Sequence, residues 1–221
     1  ELKDKFIPVY HSEVDVPADY FNHGWYEGWF TTPLCSINPY IVNQIKQRGV
    51  ESTLLPIGVN LKRFSPFKQI NKIERLGFVG NSPKEDWKSI KRPKMFHEIC
   101  KKANLTPVTL SGRKNGKDMY HDVDAIICTS TAEGLPTYFA EAVACKIPFI
   151  STDVGIVRYH KTVKKFKTVE EAVEIINELN KSSKGLNEYS AQVHNEMFPD
   201  RSWENILEKY WVPYFKKMYS K

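Results

Sequence analysis

Glu133 and Glu141 stand eight positions apart in CTSTAEGLPTYFAEAVACKIPFISTDVG (128–155), on either side of a short apolar segment opened by Gly134 and Pro136. The order of residue types predicts a buried strand ending near Ser130, a turn through Glu133 and Gly134, and a helix starting at Pro136. Free amides at such a helix start, around Leu135 to Tyr138, attract an anion such as a diphosphate. Gly134 lets the backbone come close to it. Carboxylates beside a phosphate are costly unless hydroxyl donors satisfy them. Vicinal hydroxyls of a ribose and a hexose would do so, with one glutamate on each sugar and the diphosphate between them.

The elements that position this segment alternate strand and helix from about residue 53 to residue 180. LGFVG (76–80), PVTLSG (107–112), DAIICTS (124–130) and PFIST (148–152) read as strands, the third continuous enough to be buried on both faces. RPKMFHEICKKA (92–103) puts Met95, Phe96, Ile99 and Cys100 on one helical face. TVEEAVEIINELNK (168–181) is an amphipathic helix with a capping box from Thr168 to Glu171. The pattern predicts an α/β doubly wound parallel sheet of Rossmann type, whose ligands bind beyond the carboxyl ends of the strands, after Gly80, Gly112, Ser130 and Thr152. Residues 1–55 form a separate, partial unit: a strand in KFIPVYH, an aromatic loop through Trp25 and Trp29, a strand in TTPLCS, and a helix from Pro39 capped by Asn38. Residues 56–200 make the second unit. Residues 201–221 read as a helix broken near Pro213 that packs back on the first unit. Its aromatic and lysine content also suits a membrane interface.

EGLPTYFAEAVACKIPFISTDVG resembles the donor-site motif of the family 4 retaining glycosyltransferases, and LLPIGVNLKRFSP (54–66) resembles their interdomain segment. The resemblance covers residues from about 53 to the end, and more weakly the first 50. It implies the two-Rossmann type B fold with a truncated amino-terminal unit. It also implies transfer of a sugar from a nucleoside diphosphate to an acceptor hydroxyl, with retention, without a metal or other cofactor. Glu133 would then hold sugar hydroxyls and Glu141 the ribose, neither acting as a nucleophile. His11, ending KFIPVYH, matches a histidine that contacts the donor sugar or stabilises charge in the transition state. Gly80 and Asn81 fall where the family carries glycine and arginine, so Lys91 or Arg92, helped by Lys88, is left to neutralise the diphosphate. Ser111 and Gly112 match the base and ribose contacts, and Arg158 is a further phosphate candidate. The connection RKNGKDMYHDVDA is shorter than the family's, as if a helix were missing.

Composition fits this reading. Hydrophobic residues make up 41% and charged residues 26% of the 221, as in a soluble globular protein, and no apolar run reaches the roughly 18 residues of a membrane span. The four cysteines form no CxxC pair and have no histidines at zinc-ligand spacing, so a reducing, cytoplasmic setting is expected. The chain opens on Glu1 rather than Met, so its numbering is expected to start within a longer product. Net charge is +6, but residues 61–120 alone hold 15 Lys/Arg against 5 Asp/Glu, a local excess of 10. Such a face attracts phosphate: a nucleotide, a nucleic acid, or an anionic membrane touched peripherally. The acceptor is open among glycan, lipid, protein and DNA, and a homo-oligomer or partner is one way to complete the short amino-terminal unit. Other readings of the same residues are a degenerate nucleotide-sugar-binding module, a sugar-nucleotide 2-epimerase, and a basic nucleic-acid- or membrane-binding protein.

Overall fold

A computed structural model describes residues 9–10, 34–47, 49, 51–80, 90–110 and 116–220. His11, Asn81, Lys88, Ser111 and Gly112 lie outside the described residues, as does the aromatic loop with Trp25 and Trp29.

Two parallel sheets carry the chain. The first has three strands, β1 (Val9–Tyr10), β2 (Leu34–Ser36) and β3 (Ser52–Leu54), in that order, with helix α1 (Pro39–Gln47) connecting the last two. Asn38 caps α1 as expected, its Oδ1 accepting from Tyr40 N at 2.8 Å. The second sheet has five strands in the order β5-β4-β6-β7-β8: β4 (Arg75–Val79), β5 (Thr106–Leu110), β6 (Ala125–Cys128), β7 (Phe149–Ser151) and β8 (Lys164–Lys165). All its neighbours are parallel. The chain leaves β4 for β5 on one side and returns to β6 on the other. The sheet order therefore reverses between β4 and β6, opening a crevice beyond their carboxyl ends where ligands of such sheets bind.

The core follows from the apolar runs. All four residues of β6 are buried, as a central parallel strand covered on both faces requires. Helix α2 (Pro93–Ala103) buries Phe96, Ile99 and Cys100, and Phe96 stacks on Phe78 of β4 with ring centroids 4.9 Å apart. Helix α3 (Thr137–Ala144) is buried nearly all round, because its alanines allow close packing and Phe139 meets Phe149 at 4.6 Å. Helix α4 (Val169–Leu179) begins with the expected capping box: Thr168 Oγ1 accepts from Glu171 N, and the Glu171 carboxylate accepts from Lys167 N. Helix α5 (Ser183–Met197) covers the sheet with Leu186, Tyr189, Val193 and Met197. Where the short connection before β6 suggested a missing helix, a 3₁₀ helix (Gly116–Tyr120) is present.

The linker and the carboxyl-terminal segment bind each other. Val59 N donates to Arg201 O at 2.9 Å and Trp203 N to Val59 O at 3.1 Å. Gly58 is required there: a Cβ on it would lie 2.6 Å from the Trp203 Cα. The expected break near Pro213 is absent. Helix α6 (Trp203–Ile206) runs through a π turn (Leu207–Trp211) into α7 (Val212–Tyr219). The wider turn absorbs a proline that lacks an N–H and would clash one turn back. The segment lays Tyr214 against Cys35 and Leu55, and Trp211 Nε1 donates to Pro56 O at 2.9 Å. Among the described residues, no helix is long and apolar enough to cross a membrane.

Candidate functional site

At the crevice between β4 and β6, the segment entering α2 is fastened to the end of β6. Thr131 N donates to Ile90 O at 2.8 Å and Thr129 Oγ1 to Lys91 O at 2.6 Å. Arg92 takes up a left-handed backbone conformation, φ 52°. Its guanidinium donates to Thr129 O (2.5 Å) and Ser130 O (3.3 Å). Of the two expected phosphate cations, Arg92 therefore holds the end of the strand and Lys91 faces the crevice.

Lys91 Nζ forms an ion pair with Glu133 Oε1, and Ser130 Oγ donates to the same oxygen at 2.7 Å. The two side chains are only 18% and 12% exposed, so screening by water is weak and the pair is stronger than a surface one. The ammonium also lies 5.6 Å from the Tyr138 ring centroid. Gly80, ending β4, sits against the same lysine: a Cβ on it would lie 3.7 Å from Lys91 Cγ.

The turn after Glu133 is held from behind. The Gly134 carbonyl accepts from Ile156 N at 2.9 Å and from Asn38 Nδ2 at 3.0 Å, the latter a side chain of the amino-terminal unit. Gly155 has φ +51°, and a Cβ there would lie 2.4 Å from Gly134 O and 2.7 Å from Glu133 O. Thr152 Oγ1 donates to Ser130 O at 2.6 Å. Three hydrogen bonds thus hold the loop at Ser130 and Gly134, and Gly155 lies close behind the carbonyls of Glu133 and Gly134.

The helix start differs from the expected one by a residue. Pro136 is the cap, with φ −64° and ψ 102°, and the helix begins at Thr137. Proline has no N–H to offer, so an anion here would be gripped by amides such as those of Thr137 and Tyr138, which have no acceptor within the helix. Gly134, Leu135 and Pro136 are buried, whereas Thr137 is exposed at the crevice.

Glu141 lies half-buried on α3, and Tyr120 Oη donates to its Oε2 at 3.1 Å. Burial pushes the Glu141 carboxyl above the usual glutamate range, while the Tyr120 bond and the nearby Arg63 charge hold it down. Tyr120, at the end of the 3₁₀ helix, is itself fully buried, with its phenol raised well above its ordinary value by burial. Glu133 and Glu141 thus sit in different surroundings: a cation and a hydroxyl for the first, a buried phenol for the second. Arg158 stacks over the Tyr40 ring at 4.2 Å. Asn38 and Tyr120 were not foreseen as site residues. Their partners, Gly134 and Glu141, are 96 and 21 positions away, beyond any local pattern.

An open parallel sheet thus carries a cation, a hydroxyl and two carboxylates around a helix start at its switch point, the place where ligands of doubly wound α/β sheets bind. Residues 67–195, more than half of the chain, match the model of the glycosyl transferases group 1, and the chain belongs to that family. No curated protein sequence matches it. Among solved structures it is similar to a TarM variant of S. aureus in complex with fondaparinux, α-GlcNAc-glycerol and UDP (14% identity, TM-score 0.74, covering 94% of this chain and 50% of that one). It is also similar to the pneumococcal O-GlcNAc transferase GtfA in complex with UDP and GlcNAc (15%, 0.64, 96% and 52%). A third is HepE of Anabaena in complex with UDP (12%, 0.66, 84% and 64%). At these identities the likeness is one of fold, the two-Rossmann type B arrangement. The chain spans about half the length of the first of these structures.

Proposed function

We propose that the chain carries the donor site of a glycosyltransferase that moves a sugar from a nucleoside diphosphate to an acceptor hydroxyl, with retention and without a metal ion. The observation that carries this reading is the meeting of Lys91, Ser130 and Glu133 beside the start of α3, at the switch point of the sheet. On donor binding, Lys91 exchanges Glu133 for the diphosphate. The amides of Thr137 and Tyr138 add to the neutralisation as the leaving group gains charge. Glu133, released from the lysine, accepts from sugar hydroxyls, and Glu141 accepts from the ribose while Tyr120 holds it. Asn81, Ser111 and Gly112 would complete the nucleotide contacts, and His11 the sugar contact. Family membership supports this reading, and the UDP of the three similar structures makes uracil the first base to try.

Calorimetric titration with UDP, GDP and ADP tests the site. One nucleotide should bind, and Lys91→Met should weaken it at least about tenfold, the loss of a charged hydrogen bond. Silence with all three would defeat the proposal. Glu133→Ala should keep nucleotide affinity and lose transfer of the sugar; an active variant would remove Glu133 from its role.

A further inference from the structure

The carboxyl-terminal segment has two apolar faces, and its packing on the body accounts for one. Tyr214 meets Cys35 and Leu55, with Tyr210, Trp211 and Met218 beside it. One such stripe is all that a surface helix needs to dock on a protein body. Leu207, Val212, Phe215 and Tyr219 are instead exposed to solvent, Tyr219 by 74%. They are four of the five large hydrophobic residues so exposed among the described residues. Exposed apolar residues scattered singly are ordinary, whereas a cluster marks an interaction surface.

Backbone geometry assembles the second face. Val212, Phe215 and Tyr219 follow the three- and four-residue spacing of one helical face. The Phe215 ring stacks on that of Tyr219, 6.2 Å between centroids, and lies 5.9 Å from that of Trp211. Leu207 joins them through the π turn. Val212 N donates to Leu207 O, so these two residues stand one wide turn apart. In an uninterrupted α-helix a separation of five residues would rotate them apart by about 140°, and Leu207 would leave the face.

The charge around this face selects its occupant. KYWVPYFKKMYSK (209–221) holds four lysines and five aromatic residues, and no Asp or Glu. Lys209, Lys216 and Lys217 are all exposed. A second copy docked through the same face about a two-fold axis would bring these lysines together, like against like. An anionic lipid surface suits both components. Aromatic rings settle at the level of the headgroups, and lysine stems lie along the apolar region while their ammonium groups reach anionic headgroups. We propose that this face docks the protein on an anionic membrane surface, with Val212, Phe215 and Tyr219 entering the headgroup region and Lys209, Lys216 and Lys217 pairing with lipid phosphates. The inward stripe stays on Cys35 and Leu55, so the segment docks without leaving the body. The proposal stands on this segment alone and is independent of the donor reading.

The test is co-sedimentation of the whole chain with vesicles of phosphatidylcholine and phosphatidylglycerol in equal parts, and with vesicles of phosphatidylcholine alone. Binding should be at least about tenfold tighter to the anionic vesicles and should fall as salt is raised. Phe215→Ser combined with Tyr219→Ser should weaken it about tenfold or more. Lys216→Glu combined with Lys217→Glu should weaken it at least as much, and decides the matter if the serine variant does not fold. Lys94→Glu combined with Lys101→Glu makes the same change of charge at exposed positions of α2 and should leave binding within about threefold of the parent. The proposal is overturned by the absence of binding to the anionic vesicles. It is equally overturned if the α2 pair weakens binding as much as the Lys216 and Lys217 pair, since net charge alone is then at work. A dimer in sedimentation equilibrium that the serine variant splits, without vesicle binding, also overturns it, because the face then meets a second copy.

Discussion

Asn38 Nδ2 donates to the Gly134 carbonyl across 3.0 Å, so a side chain of the first unit holds the loop that carries Glu133 in the second. Both Asn38 and Gly134 are buried, and the carbonyl has Ile156 N as its other donor. The same asparagine caps α1 through its Oδ1. One residue therefore sets both the entry of a helix in one unit and the position of a loop in the other.

These two tasks separate by substitution. Asn38→Ser keeps an oxygen for the cap and loses the bond to Gly134, which should cost about 1 kcal/mol. Asn38→Ala loses both and should cost about 1 kcal/mol more. Urea unfolding reads the stability. Nucleotide titration should show the affinity already reduced in Asn38→Ser and no lower in Asn38→Ala. An affinity that falls only in the alanine variant would mean that the cap, and not the loop contact, matters to the site.

Gly155→Ala should be far more damaging than its size suggests. The position has φ +51°, and the new Cβ would meet two backbone oxygens, those of Gly134 at 2.4 Å and Glu133 at 2.7 Å. Backbone in a loop tied at both ends cannot swing away as a side-chain tip can. A stability loss on the order of 2–4 kcal/mol and loss of nucleotide binding are expected. A variant of unchanged Tm and affinity would show that the loop yields freely.

How much of this was legible in the sequence depended on whether the cause was local. The apolar run AIIC and the Thr168 capping box declared β6 and α4, because burial on both faces and a cap are written in neighbouring residues. Helix α5 was less visible: Ser183, Gly185 and Asn187 are poor helix formers, and the helix stands because Leu186, Tyr189, Val193 and Met197 pack on the sheet. Pro213 misled, since a π turn upstream took up the strain that proline usually expresses as a break. The partners of Glu133 and Glu141 were beyond reach, because Lys91 and Tyr120 arrive there by the crossing of strands and not by spacing along the chain.

Tyr120→Phe tests the second carboxylate. It removes one hydroxyl, which donates to Glu141 Oε2 at 3.1 Å and lies 3.3 Å from Tyr138 O, and keeps the buried ring. Glu141 would lose the bond that opposes the upward push of burial, so its carboxyl should rise further. A nucleotide held through its ribose should bind about five- to tenfold more weakly, equivalent to roughly 1 kcal/mol. With a 2′,3′-dideoxy nucleotide the two proteins should bind alike. An equal loss for both ligands would show that Tyr120 acts on the fold and not on the grip of the ribose.

His160 makes stability depend on pH in a window that can be stated in advance. It is 9% exposed, its ring lies edge-on to Phe139 at 5.2 Å, and burial lowers its pKa from 6.5 to about 4. The unfolded chain takes up a proton at this residue near pH 6.5, whereas the folded chain does so only near 4. Between those values the unfolded state binds more protons, so stability rises with pH. The full contribution is present above about pH 6.5 and is lost as the pH falls toward 4, at up to about 1.4 kcal/mol per unit. His160→Gln, which does not titrate, should flatten the fall in urea-unfolding free energy between pH 6.5 and 4.5 relative to the parent protein. Parallel pH profiles for the two proteins would show that His160 charges as readily in the folded state as in the unfolded chain.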